Sequence, residues 1–402
     1  MFFIKSAYCR IFQTAFRIAL PVLPYREPEI INSCSEIGNV LRSKNIKSVL
    51  IVTDKGIMNC GLVSPVEEAL RKSNIRYSIY DKTQPNPTVM NVEEAFSVYR
   101  KNNCKCLIAI GGGSSMDCAK AVGARAAYPK RAVGKMKGVM RILKKLPTLI
   151  AIPTTAGTGS EVTPVSIITD SEKHHKYALM SFPLIPHYAV LDAKLTYSLP
   201  PHLTSTTGMD ALTHAVEAYI GRSTTKQTRA LALEATKLIF DNIKCAYSDG
   251  NNYEARKNML HAAYKAGIAF SKSYVGYIHA VAHSLGGQYG TPHGLANTVI
   301  MPYVLESYGK SVYNKLYRLG IAAGVCDKND SCKEGALKFI KAIKNLNSDM
   351  GIPAKLEGIE EKDIPTMAKH AEAEANPLYP VPKLMTAKEL EIFYYNVADW
   401  SW

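Results

Sequence analysis

Apolar residues recur along this chain in two rhythms, and the change between them falls near residue 200. Before that point, short aliphatic and β-branched runs alternate with segments of helical spacing. "SVLIVTD" (48–54) reads as a buried strand running into a turn at Lys55-Gly56. A helical stretch follows to about Ser73, then a strand at "RYSIYD" (76–81) and the turn-rich "KTQPNPT". "VMNVEEAFSVYRKNN" has helical spacing, "CLIAI" (106–110) is a strand ending in glycines, and "LPTLIAIPTT" (146–155) supplies another. Such alternation predicts a parallel sheet with helices on its faces and ligands at the carboxyl ends of the strands. After the Pro200-Pro201 pair, "TGMDALTHAVEAYI", "TRALALEATKLIFDNIKCAY", "EARKNMLHAAYKAGIAF" and "CKEGALKFIKAIKNLNSDM" all read as helices. The expected architecture is an α/β N-terminal domain (28–200) and an all-α C-terminal domain (201–402), preceded by a separate segment, 1–27.

That segment is amphipathic. Ile4, Ala7, Tyr8, Ile11, Ala15 and Ala19 share one helical face, Ser6, Arg10, Gln13 and Arg17 the other, and Pro21 and Pro24 end the helix. Its three basic residues fit a cleaved signal peptide poorly. The expected use is packing against the protein or a sister subunit, with contact on a membrane surface as the alternative. No stretch has the apolar length of a transmembrane helix.

Composition narrows the class. With 402 residues, 47% hydrophobic and 21% charged, the chain has room for two cores and does not resemble a disordered one. Nine scattered cysteines without a CxxC pair read as reduced thiols, which implies a cytoplasmic protein rather than a disulfide framework. The net charge of +15 would suit acidic partners, nucleic acid or anionic lipid among them. It is spread along the sequence, however. Its densest run, "KRAVGKMKGVMRILKK" (130–145), is expected to be a solvated face of a loop or helix. His174 and His175, between Lys173 and Lys176, read as exposed turn residues.

Two stretches suit a phosphate-bearing ligand. In "LIAIGGGSSMDCAKAVGARAA" (107–127) a strand leads through three glycines into a helix, whose first N–H groups would face an anion. The spacing of Ser114 and Asp117 equally suits a capping box. "PTTAGTGSEVT" (153–163) places Thr154, Thr155, Thr158, Ser160 and Thr163 directly after a strand, a hydroxyl-rich loop fitted to a phosphate or a nicotinamide amide. Asp54, at a strand end, is placed to bond a ribose diol and would repel a 2′-phosphate, favouring NAD over NADP.

The strongest chemical signal is a set of histidines. Asp210 and His214 lie four residues apart in a helical pattern, a turn of about 400° that leaves both side chains on one face. His279 and His283 repeat that spacing, and His293 follows in a Gly-flanked loop. Asp and His without thiolate suit Fe2+ or Zn2+. Neither pair carries the Glu of an HExxH hydrolase. The coherence of this set weighs against a nucleic-acid-binding protein, so no nucleic-acid partner is expected.

In order and spacing, "VTDKG", "PNPT", "GGGSSMDCAKAVG", "PTTAGTGSEVT", "TGMDALTHAVEAY" and "HAVAHSLGGQYGTPHGLAN" resemble the iron-containing (group III) alcohol dehydrogenases, from about Pro28 to the C-terminus. The resemblance implies a Rossmann-like nucleotide-binding domain, an all-α domain of the dehydroquinate synthase-like architecture, and an active site in the cleft between them. It implies metal ligands at Asp210, His214, His279 and His293. Cofactor positions fall on Asp54, Asn86, Gly112, Gly113, Ser114, Asp117, Thr154, Thr155, Thr158, Thr163, Lys176 and Leu203. His283 matches a histidine beside the substrate rather than a ligand, suited to relaying a proton, and Phe270 matches a residue of the substrate pocket. The implied activity is hydride transfer between NAD(H) and a primary alcohol or aldehyde, using Fe2+, with NADP and Zn2+ as alternatives and a homodimer as the expected assembly. A metal-dependent polyol (glycerol-type) dehydrogenase on the same fold is the second reading. The first twenty-odd residues inherit nothing from the family.

Overall fold

Helix α1 (Phe2–Ala19) opens the chain in the computed structural model, which describes residues 2–171 and 175–400. It is followed by β1 (Glu29–Ile31), α2 (Ile37–Ser43), β2 (Ser48–Val52), α3 (Lys55–Asn59), α4 (Ser64–Lys72), β3 (Arg76–Tyr80) and α5 (Val89–Lys101). Next come β4 (Cys106–Gly111), α6 (Gly113–Ala127), β5 (Gly138–Val139), β6 (Thr148–Pro153), β7 (Val165–Asp170), β8 (His175–Met180) and β9 (Tyr188–Val190). Two units divide the chain: Pro24–Leu199, and Pro200–Trp402 together with Met1–Leu23.

In the first unit, β1-β9-β6-β4-β2-β3 form one sheet with every pairing parallel. A strand covered on both faces needs apolar residues at every position, which is why β2 and β4 are continuous apolar runs, buried throughout. Their alternation feeds two cores. Leu50, Val52, Leu107, Ala109 and Leu149 pack with Phe96 of α5 and Met116 of α6. Val49, Ile51, Ile108, Ile110 and Ile150 face the other way, toward Ile37 of α2 and Leu70 of α4. The chain goes from β2 to β3 on one side and then crosses to β4 on the other. The point where the winding reverses therefore lies between the carboxyl ends of β2 and β4.

A smaller sheet, β5-β8-β7, pairs β7 with β8 antiparallel and β5 with β8 parallel. The lysine-rich run is mostly loop around β5: Lys135, Lys137, Arg141, Lys144 and Lys145 are exposed while Val133, Met136 and Ile142 anchor it. His174 lies outside the described residues, and His175 opens β8. The Ser114–Asp117 capping box does not form, because α6 begins two residues earlier than that box requires, with Gly112 at its N-cap. Asp117 instead accepts hydrogen bonds from Ser160 Oγ (3.0 Å) and Ile167 N (3.0 Å), tying α6 to β7 and the loop before it.

The second unit is built of α7 (Pro201–Ile220), α8 (Lys226–Ser248), α9 (Tyr253–Ser273), α10 (Tyr277–Tyr289), α11 (His293–Tyr308), α12 (Tyr313–Ala322), α13 (Cys332–Asp349), α14 (Ile364–Ala375) and α15 (Ala387–Val397), with α1 docked on it. The docking reverses the expected orientation of α1. Gln13 and Cys9 are buried and Arg10 is half-buried, while Arg17 stays exposed and Tyr8 and Ile11 face solvent. The inward polar groups are satisfied by a bend in the chain after α14. Arg10 donates to Val381 O (2.7 Å) and Pro382 O (3.1 Å), and Gln13 Nε2 to Tyr379 O (2.7 Å). Among the described residues no helix is long and apolar enough to cross a membrane.

Candidate metal centre

Helix α7 carries the first half of the site on one stripe. Asp210, His214 and Glu217 follow each other at i, i+4 and i+7, and all three are buried. The start of α10 has no side-chain cap of its own. Glu217 supplies one across the interface, its Oε2 accepting from Gly276 N (2.7 Å) and its Oε1 from Ile278 N (2.8 Å). A Cβ at residue 276 would sit 2.6 Å from Glu217 Oε1, so only glycine permits this approach. The same carboxylate bonds His279 Nδ1 at 2.6 Å, which directs His279 Nε2 toward Asp210. Helix α11 is drawn in by a second glycine: a Cβ at Gly294 would meet Thr206 O of α7 at 2.6 Å. That contact sets His293 at the head of α11, beside Asp210.

One ligand atom each from Asp210, His214, His279 and His293 lies within 4.8 Å of all the others. His293 Nε2 is 3.6 Å and His279 Nε2 4.0 Å from Asp210 Oδ1. The donor set fits a divalent first-row cation on two observations. His279 Nε2 is buried with no hydrogen-bond partner, while Nδ1 is held by a carboxylate, the arrangement that orients a metal-binding imidazole. Burial, with the neighbouring His214, His293 and His283, holds His279 well below its ordinary pKa, and burial pulls His293 down to about 4. Both imidazoles are thus neutral, the state that offers a lone pair. Burial lifts Glu217 to about 7 against its backbone hydrogen bonds. Asn297 donates to Asp210 Oδ1 at 2.7 Å and approaches His293 Nε2 at 3.1 Å, fixing both rotamers.

His283 lies at the rim of this cluster. Its ring stacks on His293, with centroids 5.1 Å apart, and its Nδ1 meets Glu374 Oε1 at 2.6 Å. Tyr379 donates its hydroxyl to the same oxygen at 2.7 Å. Burial alone would lower His283, but the Glu374 charge outweighs it and raises the pKa; the same pairing outweighs burial at Glu374 and holds it low. Phe270, on α9, stacks on His214 with ring centroids 4.2 Å apart. Sequence reasoning missed Glu217, which the i, i+4, i+7 stripe from Asp210 signals. It also missed Glu374, whose partner is distant in sequence and for which no local signal exists.

The nucleotide-binding candidates gather in the other unit, at the reversal between β2 and β4. A pocket of about 680 Å³ is lined there by Asp54, Lys55, Asp81, Gly112, Gly113 and Ser114, among others. Asp54 also caps α3, accepting from Ile57 N (3.0 Å), and its other oxygen accepts from Ser115 Oγ (3.3 Å). Asn86, in a left-handed conformation, donates its backbone N–H to Ser114 Oγ (3.3 Å). The loop after β6 closes on the same glycines: a Cβ at Gly112 would lie 3.9 Å from Thr155 Oγ1, and one at Gly113 3.4 Å from Thr158 Oγ1. Thr154 donates its N–H to Gly111 O. Thr163 is turned inward instead, bonded by the buried Lys120, which also donates to Ser160 Oγ and Val165 O. Lys120, pulled down to about 8 by burial, is the loop's internal tether and was not foreseen from sequence. Lys176 lies exposed on β8, and Leu203 on the first turn of α7 belongs to the helical unit.

Comparison with known proteins gives these features a context. Residues 31–193 match the family model described as iron-containing alcohol dehydrogenase, and residues 204–397 match that of the Fe-containing alcohol dehydrogenase family, C-terminal. The chain is 39% identical over 340 residues to alcohol dehydrogenase 4 of Saccharomyces cerevisiae, covering 84% of this chain and 87% of that one. It is 37% identical over 349 residues to 1,3-propanediol dehydrogenase of Klebsiella pneumoniae, covering 86% and 90%. The crystal structure of sulfoacetaldehyde reductase from Bifidobacterium kashiwanohense in complex with NAD+ superposes with a TM-score of 0.83 at 28% identity, covering 94% of this chain and 99% of that chain.

Proposed function

This chain belongs to the iron-containing alcohol dehydrogenase family, and from that premise we propose how its own residues serve the reaction. It is an oxidoreductase that transfers hydride between NAD(H) and a primary alcohol or aldehyde. The proposal assigns Asp210, His214, His279 and His293 as the ligands of Fe2+. The supporting observation is the buried, unpartnered His279 Nε2 within a cluster whose ligand atoms lie within 4.8 Å of one another. Bound there, the cation supplies Lewis acidity toward the alcohol or carbonyl oxygen.

The remaining work falls to the side chains. Glu217 holds the His279 ring in one tautomer and one orientation. His283, with Nδ1 engaged by Glu374, has Nε2 left to exchange a proton with the substrate hydroxyl. Phe270 against His214 gives the substrate carbon an apolar wall that excludes water. In the other unit, Gly112, Gly113 and Ser114 at the start of α6 suit the pyrophosphate of NAD, and Asp54 suits its ribose diol. The Klebsiella relative's name makes a short diol the second substrate class to test beside simple primary alcohols.

Chelation should abolish alcohol-dependent NADH formation, and added Fe2+ should restore it. Full activity from a metal-free preparation would refute the assignment.

A further inference from the structure

Helix α1 takes no part in the proposed reaction, and its orientation is unusual. The helix is fastened by polar groups: Arg10 and Gln13 bond the 379–382 carbonyls, and Ser223 Oγ donates to Gln13 O (3.2 Å). Phe16 meets the edge of Tyr274 with ring centroids 4.9 Å apart. On the opposite side Tyr8, Ile11, Ala15, Ile18 and Val22 succeed one another at three- and four-residue steps, with Phe12 beside them, an exposed apolar stripe. Ile11 is 70%, Ile18 74% and Val22 81% exposed, while the glutamine beneath is buried. A helix that docks through a buried glutamine and a half-buried arginine and shows an apolar stripe to solvent is built to have that stripe covered.

Charge identifies what covers it. Residues 1–26 contain Lys5, Arg10, Arg17 and Arg26 and no acid. Beside the C-terminal half of α1, the positive charges of Arg229, Arg222 and Arg17 add to burial in pulling Lys315 down to about 8. Among the described residues no carboxylate forms an ion pair with Arg17, Arg222 or Arg229. A second copy of the chain meeting this face across a two-fold axis would set the cluster against itself. An anionic bilayer would neutralise it while accepting the apolar stripe.

We propose that α1 lies flat on an anionic lipid surface, its Ile11, Phe12 and Ile18 side chains entering the headgroup–acyl boundary and Arg17 and Arg222 meeting lipid phosphates. Being too polar to span the bilayer, it holds the enzyme on the membrane without crossing it.

The test is flotation of the full-length protein with vesicles of phosphatidylserine and phosphatidylcholine, and with phosphatidylcholine alone. Three proteins are compared: wild type, the double variant Ile11→Ser/Ile18→Ser, and Arg17→Gln/Arg222→Gln. Wild type should float with the mixed vesicles, less so at high salt, and not with the neutral ones. Each serine should weaken partitioning about tenfold, equivalent to ~1.4 kcal/mol. The arginine variant should lose the preference for anionic lipid. Solution turnover should be the same in all three, since none of these residues touches the metal centre. Equal flotation of wild type and the serine variant would overturn the proposal, as would no flotation at all. A wild-type dimer that the serine substitutions dissociate would overturn it too, by identifying a second copy as the occupant.

Discussion

Replacing Glu217 with glutamine isolates the contribution of a carboxylate that touches no substrate. In the wild type its two oxygens accept three hydrogen bonds, Oε2 from Gly276 N and His279 Nδ1 and Oε1 from Ile278 N. Glutamine keeps the shape but offers one oxygen and one NH2 group. If its oxygen takes the Oε2 position, the NH2 opposes the Ile278 N–H; if reversed, Gly276 and His279 lose their acceptor. At least one buried donor is unsatisfied either way, costing about 1–3 kcal/mol of stability. Loss of the carboxylate behind a metal-binding imidazole should also weaken metal affinity about 10–100-fold. Denaturant titration measures the first effect and competition with a chelator of known affinity the second. The reasoning fails if Glu217→Gln binds metal within twofold of wild type, for then the carboxylate does not orient His279.

Asp54→Asn keeps an N-cap for α3 while removing the charge proposed to repel a 2′-phosphate, so the ratio of kcat/KM for NADP over NAD should rise about tenfold or more with little change in stability. A wild-type enzyme that already prefers NADP would remove the basis for that role. His187 accepts a hydrogen bond from Leu149 N, and burial, reinforced by Arg26, Lys145 and Lys44, lowers its pKa to about 4. The unfolded chain therefore binds the extra proton between pH 6.5 and 4: stability from this group is complete above 6.5 and lost as pH falls toward 4. The loss reaches at most about 3 kcal/mol at ~1.4 kcal/mol per unit. Denaturant titrations at pH 7 and 4.5 should find a shallower acid loss in His187→Gln, and identical pH profiles would count against it.

What could be read from sequence depended on how local its cause was. Strands β2, β4 and β6 stand out because burial on both faces demands continuous apolar runs. Strands β1 and β9, three residues each, are too short for any periodicity to register. For α1 the pattern was plain, but the face that docks was not. Arg10 and Gln13 point inward only because the 377–382 bend presents bare carbonyls to them, a circumstance hundreds of residues away. In the candidate metal cluster, the helical pairing of Asp210 with His214 is evident from spacing. Spacing also offered His279 with His283, and the resemblance to a family separated them. In the structure His283 Nδ1 meets Glu374 and His279 Nε2 turns toward Asp210. Glu374 and Tyr379 lie far from His283 in the chain, and nothing local announces them.

The most direct test compares the metal content of wild type, His279→Ala and His283→Ala after dialysis, by elemental analysis. A ligand at 279 and a substrate-facing proton carrier at 283 predict stoichiometric metal in wild type and His283→Ala, with turnover impaired only by the latter's missing imidazole, and metal lost from His279→Ala. Metal retained by His279→Ala, or lost from His283→Ala, would contradict the assignment.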